Sequence, residues 1–377
     1  MKKTMLPVLL LLLMACNAGK KKDETNASAT ALHYSFDSTL NGKKTGLYWL
    51  KNGEMTVGIT NYGGRIVSLQ VPDKTGTKRD VVVGFASLAD YINATEPYFG
   101  ATVGRVANRI ARGKFTLDNQ TYTLFTNNGP NTLHGGKQGL QAVVWEATQP
   151  SDSTLRLSYV SPDKEEGFPG QLTISVFFTV TQNQELLIQY EATTDKATPV
   201  NLSNHAFFNL NGEGAGSINQ HQLQLFASAY TPVDSTLIPT GEIAKVAGTP
   251  FDFTRPTTIG ERVENADEQL RFGKGYDHNF VLDDSAAWKK AASIKGDLSG
   301  IQLEIYTTEP GIQFYGGNFM QGKNRFKTGA KDDFRTAFCL ETQHFPDAVN
   351  QPAFPSTILQ PAQTYTTRSI YKFSAQP

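Results

Sequence analysis

The sequence predicts an all-β fold, a large antiparallel β-sandwich with a few short helices. Many short segments alternate apolar and polar residues at period two, as half-buried strands do. Helical signals are scarce. The 33 glycines and 18 prolines punctuate the chain throughout, with no internal repeat, low-complexity block or mid-chain linker.

In chain order, Val57-Gly-Ile-Thr-Asn-Tyr62, residues 65–71 and residues 80–83 read as the first strands. Ser87 to Ile92 suits one or two helical turns. Leu155-Arg-Leu-Ser-Tyr-Val160 alternates cleanly. Thr173-Ile-Ser-Val-Phe-Phe-Thr-Val180 mixes β-branched and aromatic residues, and Gln184-Glu-Leu-Leu-Ile-Gln-Tyr-Glu-Ala192 follows a Gln182-Asn183 turn, which predicts a hairpin. Thr258-Ile-Gly-Glu261 has the form of a capping box and predicts another short helix. Ile301-Gln-Leu-Glu-Ile-Tyr306 alternates again. Functional groups are expected on loops and strand ends of one face of the sandwich.

The 377 residues are 39% hydrophobic and 19% charged, enough for a large core. Formal net charge is zero, and without Lys2 and Lys3 of the leader 33 basic residues face 35 acidic ones. No basic stripe marks a nucleic-acid surface. Lys2-Lys3 followed by the apolar run 6–13 reads as an export leader, far shorter than the ~20 apolar residues a membrane span needs. It ends in Leu13-Met-Ala-Cys16, which resembles a bacterial lipoprotein box, with cleavage before Cys16 and lipid on its sulfur. The expected organisation is a signal peptide over 1–15, a solvated tether over 16–31 and one domain over 32–377. Location is then the cell envelope, with attachment to the outer membrane favoured. Only Cys339 remains as a second cysteine, so no disulfide framework exists.

Two histidines and a glutamate carry the chemical information. They are His134 in Asn131-Thr-Leu-His-Gly-Gly136, His205 in Asn201-Leu-Ser-Asn-His-Ala-Phe-Phe-Asn-Leu210 and Glu341 in Cys339-Leu-Glu-Thr-Gln-His-Phe-Pro-Asp347. Carboxylate and imidazole titrate near ~4.3 and ~6.5 in model peptides, so one can take a proton while the other gives one. Each also has a plain alternative. His205 reads equally as a core histidine beside Phe207-Phe208, and His134 as a turn residue before two glycines. Glu341 could be a buried partner of Arg335, Asp277 is equally ambiguous, and Arg105 with Arg109 could be an exposed charge pair. Cys339 reads as a small buried hydrophobe. No metal-binding His or Cys spacing, dinucleotide glycine fingerprint or nucleophile elbow is found in the sequence.

Taken together, six motifs resemble the aldose 1-epimerase (galactose mutarotase) family. In order they are Tyr98-Phe-Gly-Ala-Thr-Val-Gly-Arg-Val-Ala-Asn-Arg-Ile110, Asn131-Thr-Leu-His-Gly-Gly136, Asn204-His-Ala-Phe-Phe-Asn-Leu210, Gly275-Tyr-Asp-His-Asn-Phe280, Pro310-Gly-Ile-Gln-Phe-Tyr315 and Leu340-Glu-Thr-Gln-His-Phe-Pro-Asp-Ala-Val-Asn350. With its leader, the chain looks like a lipoprotein-type bacterial member. The resemblance implies a mutarotase-like β-supersandwich that interconverts α and β anomers of a free hexose. It implies Glu341 as general base, His205 as general acid and His134 as an assisting imidazole. Asn108, Arg109, Asp277 and Gln313 would hold sugar hydroxyls, and Phe207 would contact the sugar. Many members carry Tyr where this chain has Phe207, a departure that bears on sugar preference.

Ring opening and reclosure by proton transfer require no cofactor, and a bound structural cation stays open. The expected partner is a small-molecule aldose, with no nucleic acid, membrane contact only through the N-terminal lipid, and a monomeric state. The competing readings are a silent sugar-binding lipoprotein, a glycoside hydrolase using Asp277 and Glu341, and an enzyme for hexose 6-phosphates.

Overall fold

A computed structural model of the protein describes Met1 and residues 32–375. The leader beyond Met1, Cys16 and the tether lie outside the described residues. From His33 the chain forms one contact unit. Among the described residues no helix is long and apolar enough to cross a membrane.

Every strand pair between named strands is antiparallel, and the largest sheet has nine strands. The predicted hairpin lies near its middle, as Leu172–Val180 against Glu185–Thr194, with Val180 opposite Leu186. Thr154–Ser161 and Ile301–Thr307 belong to the same sheet. In Ile301–Thr307 every second residue is buried, the period two that burying one face requires. A four-stranded sheet holds Leu47–Asn52, Met55–Thr60, Arg65–Pro72 and Lys78–Asp80. A five-stranded sheet ends in Asp277–Val281, Gly311–Tyr315 and Cys339–Gln343. One hydrophobic cluster joins all three, with Val57 and Leu69, Ile174 and Ile188, and Ile312, Phe314 and Leu340. Polar ties add to it: Tyr371 donates from its hydroxyl to Leu340 O at 3.2 Å, and the Thr342 and Ser369 hydroxyls meet at 2.7 Å.

Three local readings shift. Residues 80–83 do not continue as a strand, because Asp80 turns the chain. Its Oδ1 accepts from the backbone N–H of both Leu69 and Val82, and Val82 keeps only an isolated bridge to Phe208. Thr258 does not cap a helix. It pairs with Gln222 at the edge of the large sheet, and the next two N–H groups go to His221 O and Asn219 O, leaving one 3₁₀ turn over Ile259–Glu261. A second α-helix forms later, over Glu268–Gly273, where Asp267 accepts from the N–H of Gln269 and Leu270. The first helix is as read, Leu88–Asn93, with the Ser87 hydroxyl accepting from Asp90 N.

The loop bearing His134 is held by close backbone approach. His134 has φ +49°, and Gly135 follows at φ +87°. A Cβ built on Gly135 would lie 1.9 Å from Gly104 O, a contact no side chain could relieve. Gly135→Ala should therefore cost about 1–3 kcal/mol in urea unfolding and move His134 with the loop. Unfolding midpoints matching those of the unmodified protein would show that this segment can yield.

Candidate active site

Alternation on the five-stranded sheet separates core from site. His278, Phe280, Ile312, Phe314 and Leu340 face the nine-stranded sheet side, while Asp277, Gln313 and Glu341 share the opposite face. In register, Gln313 lies opposite Glu341, and Asp277 lies opposite Tyr315. A short strand, Ser203–His205, pairs with Ala101–Val103 and brings His205 over this face. Arg109–Ile110 pairs with Thr132–Leu133, which delivers Arg109 and His134 from the other side. These elements enclose a cavity of about 520 Å³ lined by Tyr98, Asn108, Arg109, His134, His205, Asp277 and Glu341 among others.

At its centre, His205 Nε2 lies 3.6 Å from Glu341 Oε1. Glu341 is 2% exposed, and its Oε2 has no hydrogen-bond partner among the described residues. The other ring nitrogen of His205, Nδ1, lies 3.4 Å from Cys339 Sγ. Cys339 is thus buried as read, but it also backs the imidazole. His134 Nδ1 accepts the Asn108 N–H at 3.1 Å, so a neutral ring carries its proton on Nε2. The rings of His134 and His205 meet edge to face, with centroids 5.0 Å apart.

The polar groups expected to hold sugar hydroxyls are in contact with one another. Gln313 donates to Asp277 Oδ1 at 2.7 Å, and Arg109 Nη2 lies 3.7 Å from Asp277 Oδ2. Asn108 Oδ1 accepts from Arg109 N at 2.9 Å, and Asn128 Oδ1 accepts from Arg109 Nε at 3.1 Å. Arg109 is therefore a buried site residue, not an exposed charge. Arg105 is buried elsewhere, spending its guanidinium on Ser161 and on carbonyls of Ser161, Pro162, Pro169 and Gly170.

Electrostatics alter the simple picture of an ionised glutamate beside a charged histidine. Burial pushes the Glu341 carboxyl well above the usual carboxylate range, with Asp277 and Glu96 reinforcing the rise and Arg109 opposing it. Burial draws His205 down to about 3. Burial likewise takes His134 well below the usual imidazole value, helped by His205 and Arg109. Burial thus favours the uncharged form of both groups.

Other expectations fare unevenly. Phe207 was expected to touch sugar, yet it is fully buried and outside the cavity wall. It stacks under His205 at 4.9 Å between ring centroids and packs against Phe99 at 4.5 Å. Its place is set by packing, because two aromatic neighbours fill the space beside it. Gln313 is buried and reaches Asp277 rather than lining the cavity. Arg335 does not pair with Glu341. It meets Glu264, Asn318 and the carbonyl of Lys274.

Sequence reasoning passed over Tyr98, Tyr315 and Glu96 as individual site residues. Tyr98 packs on both imidazoles, 4.5 Å from His134 and 5.7 Å from His205. Arg65 fixes it, donating to the carbonyls of Pro97 and Phe99 on either side at 2.8 Å each. Position between a glutamate and the Phe-Gly of the first motif was the available signal. Donor atoms of His134, His205 and Glu341 all lie within 4.8 Å of one another. Two imidazoles and a carboxylate suit a zinc-type ion by ligand chemistry.

The family model described as Aldose 1-epimerase matches residues 46–372. A galactose mutarotase of Sus scrofa is 46% identical over 327 residues, covering 87% of this chain and 93% of its own. An aldose 1-epimerase of Escherichia coli K12 is 37% identical over 328 residues, covering 86% and 94%. The solved structure of a GalM/aldose epimerase homologue from C. elegans superposes with a TM-score of 0.82 at 31% identity, over 88% of this chain and all of that one. A family model matched over residues 46–372 and a relative 46% identical across 93% of its own length show that the chain belongs to the aldose 1-epimerase family.

Proposed function

We propose that the protein is an isomerase interconverting the α and β anomers of free hexoses such as galactose and glucose. The observation that carries this is the approach of His205 Nε2 to Glu341 Oε1, 3.6 Å, in the wall of a cavity also lined by Arg109 and Asp277. The leaving proton of the C1 hydroxyl and the ring oxygen O5 flank the same carbon. An acid and a base this close can serve both.

Sugar hydroxyls entering the cavity hydrogen-bond to the carboxylate and favour its charged form. The carboxyl proton then passes to His205, an acid made strong by burial, while Glu341 becomes a base stronger than an ordinary carboxylate. Glu341 takes the C1–OH proton, His205 protonates O5, and the C1–O5 bond opens. Rotation about C1–C2 presents the other carbonyl face, and the same transfers run backwards to reclose the ring. His134 donates its Nε2 proton to the sugar as a neutral imidazole. Arg109, Asn108 and Asp277 hold hydroxyls with fixed, charge-assisted bonds, and Gln313 holds Asp277. Each step moves only protons, so no cofactor is needed.

Glycosidic hydrolysis is disfavoured by Asp277, whose two oxygens are engaged by Gln313 and Arg109. A silent binder would have no use for the buried acid–base pair. We further propose that the protein acts as a monomer, anchored in the cell envelope through lipid on Cys16. Cys16→Ala should then move it from the membrane to the soluble fraction without changing its polarimetric activity. Continued membrane fractionation of that variant would sink the anchor.

Glu341→Gln should slow the decay of optical rotation of fresh α-D-galactose by at least ~10²-fold. An undiminished rate would remove Glu341 from the base role. The same variant has a second signature, with its sign set by burial. A carboxyl whose folded pKa is raised loses stability as pH climbs from its unfolded value through the folded one. Glutamine does not titrate. Glu341→Gln should thus match the parent near pH ~4, below the unfolded carboxylate value, and be progressively more heat-stable above it. Parallel Tm–pH curves would contradict the burial effect.

A further inference from the structure

Glu96 is the cavity-lining carboxylate that the chemistry above leaves unused. The other two are engaged, Asp277 by Gln313 and Arg109, Glu341 by His205. Glu96 has no salt-bridge partner among the described residues. Its Oε1 accepts the Tyr98 N–H at 3.2 Å, and its Oε2 has no hydrogen-bond partner among those residues.

The backbone around it is held on both sides. Thr95 N–H donates to Asn324 Oδ1 at 3.0 Å, and Arg65 grips the Pro97 and Phe99 carbonyls. Tyr98, anchored through that same backbone, lies against both imidazoles. A carboxylate with one oxygen tied and one free, on fixed backbone beside the acid–base pair, is an acceptor aimed at a ligand rich in hydroxyl donors. The C1 hydroxyl belongs to Glu341, so a different hydroxyl must be its partner.

Resting on the epimerase reading, we propose that Glu96 is a further substrate-contacting and specificity-determining residue, accepting a hydrogen bond from a ring hydroxyl other than that on C1. A sugar that lacks that hydroxyl forgoes the bond to the carboxylate and binds more weakly.

The test is polarimetric kinetics of the full domain, comparing the parent with Glu96→Ala and Glu96→Gln on galactose and its 2-, 3-, 4- and 6-deoxy forms. For galactose, Glu96→Ala should raise KM about tenfold while kcat on the plateau of its pH profile holds, and the KM should be partly rescued by Glu96→Gln. One deoxy sugar should show the same KM with parent and Glu96→Ala, which names the hydroxyl. Equal penalties on every deoxy sugar overturn the contact, since the loss is then not tied to a hydroxyl. A fallen kcat on that plateau with KM unchanged also overturns it, because Glu96 would then act on the acid–base pair and not on a sugar hydroxyl. A parent protein that fails to speed galactose itself defeats the epimerase reading, and this inference with it.

Discussion

Two neighbouring buried groups whose pKa values burial moves in opposite directions are the constraint that shapes this site. Desolvation favours the neutral acid on Glu341 and the neutral ring on His205, so the cavity stores its proton without creating charge. The reactive tautomer differs only by a shift across 3.6 Å. Neighbouring charges act on the same balance, Asp277 and Glu96 raising Glu341 and Arg109 lowering it. Arg109 balances Asp277, and Lys327 is buried far along the chain against Asp80 and Glu213. The protein can thus keep a strong acid and a strong base side by side near neutral pH.

Precision comes from combining two kinds of backbone. Glu341, Gln313 and Asp277 stand on neighbouring strands whose opposite faces are locked into the main core. His134, Arg109 and Glu96 come from connecting segments fixed by capping amides, Arg65 and close glycine approach. Local strain is accepted there, with left-handed backbone at both Asn108 and His134. The Asn108 amide that holds His134 Nδ1 belongs to one of those two residues, so the strain and the tautomer are fixed together.

Much of this was legible because period-two burial survives wherever a strand has one wet face or one polar face. The hairpin at Leu172–Val180 and Glu185–Thr194 and the strand Ile301–Thr307 followed that rule. Thr258 misled because a capping box is a local pattern, whereas the nearby amides were claimed by carbonyls of His221 and Asn219. Asp267, an ordinary capping residue, carried the missed helix signal. The meeting of His134, His205 and Glu341 rests on pairings such as Ser203–His205 with Ala101–Val103, over a hundred residues apart. Only the family likeness could suggest it in advance. The burial of Phe207 and the cavity position of Glu96 depend on which side chains fill the space between loops, and no short pattern encodes that.

The strand Gly311–Tyr315 is buried on both sides, with Gln313 directed to Asp277 and Ile312 and Phe314 facing the core. Because side chains alternate, a single inserted or deleted residue there would exchange the two surfaces, driving aromatic bulk towards the sugar and an amide into oil. This segment therefore tolerates conservative replacement far better than any change of length. Diversification by indels is pushed outward to the connections at the rim, where new sugar preferences can be tried while the proton-handling machinery keeps its spacing.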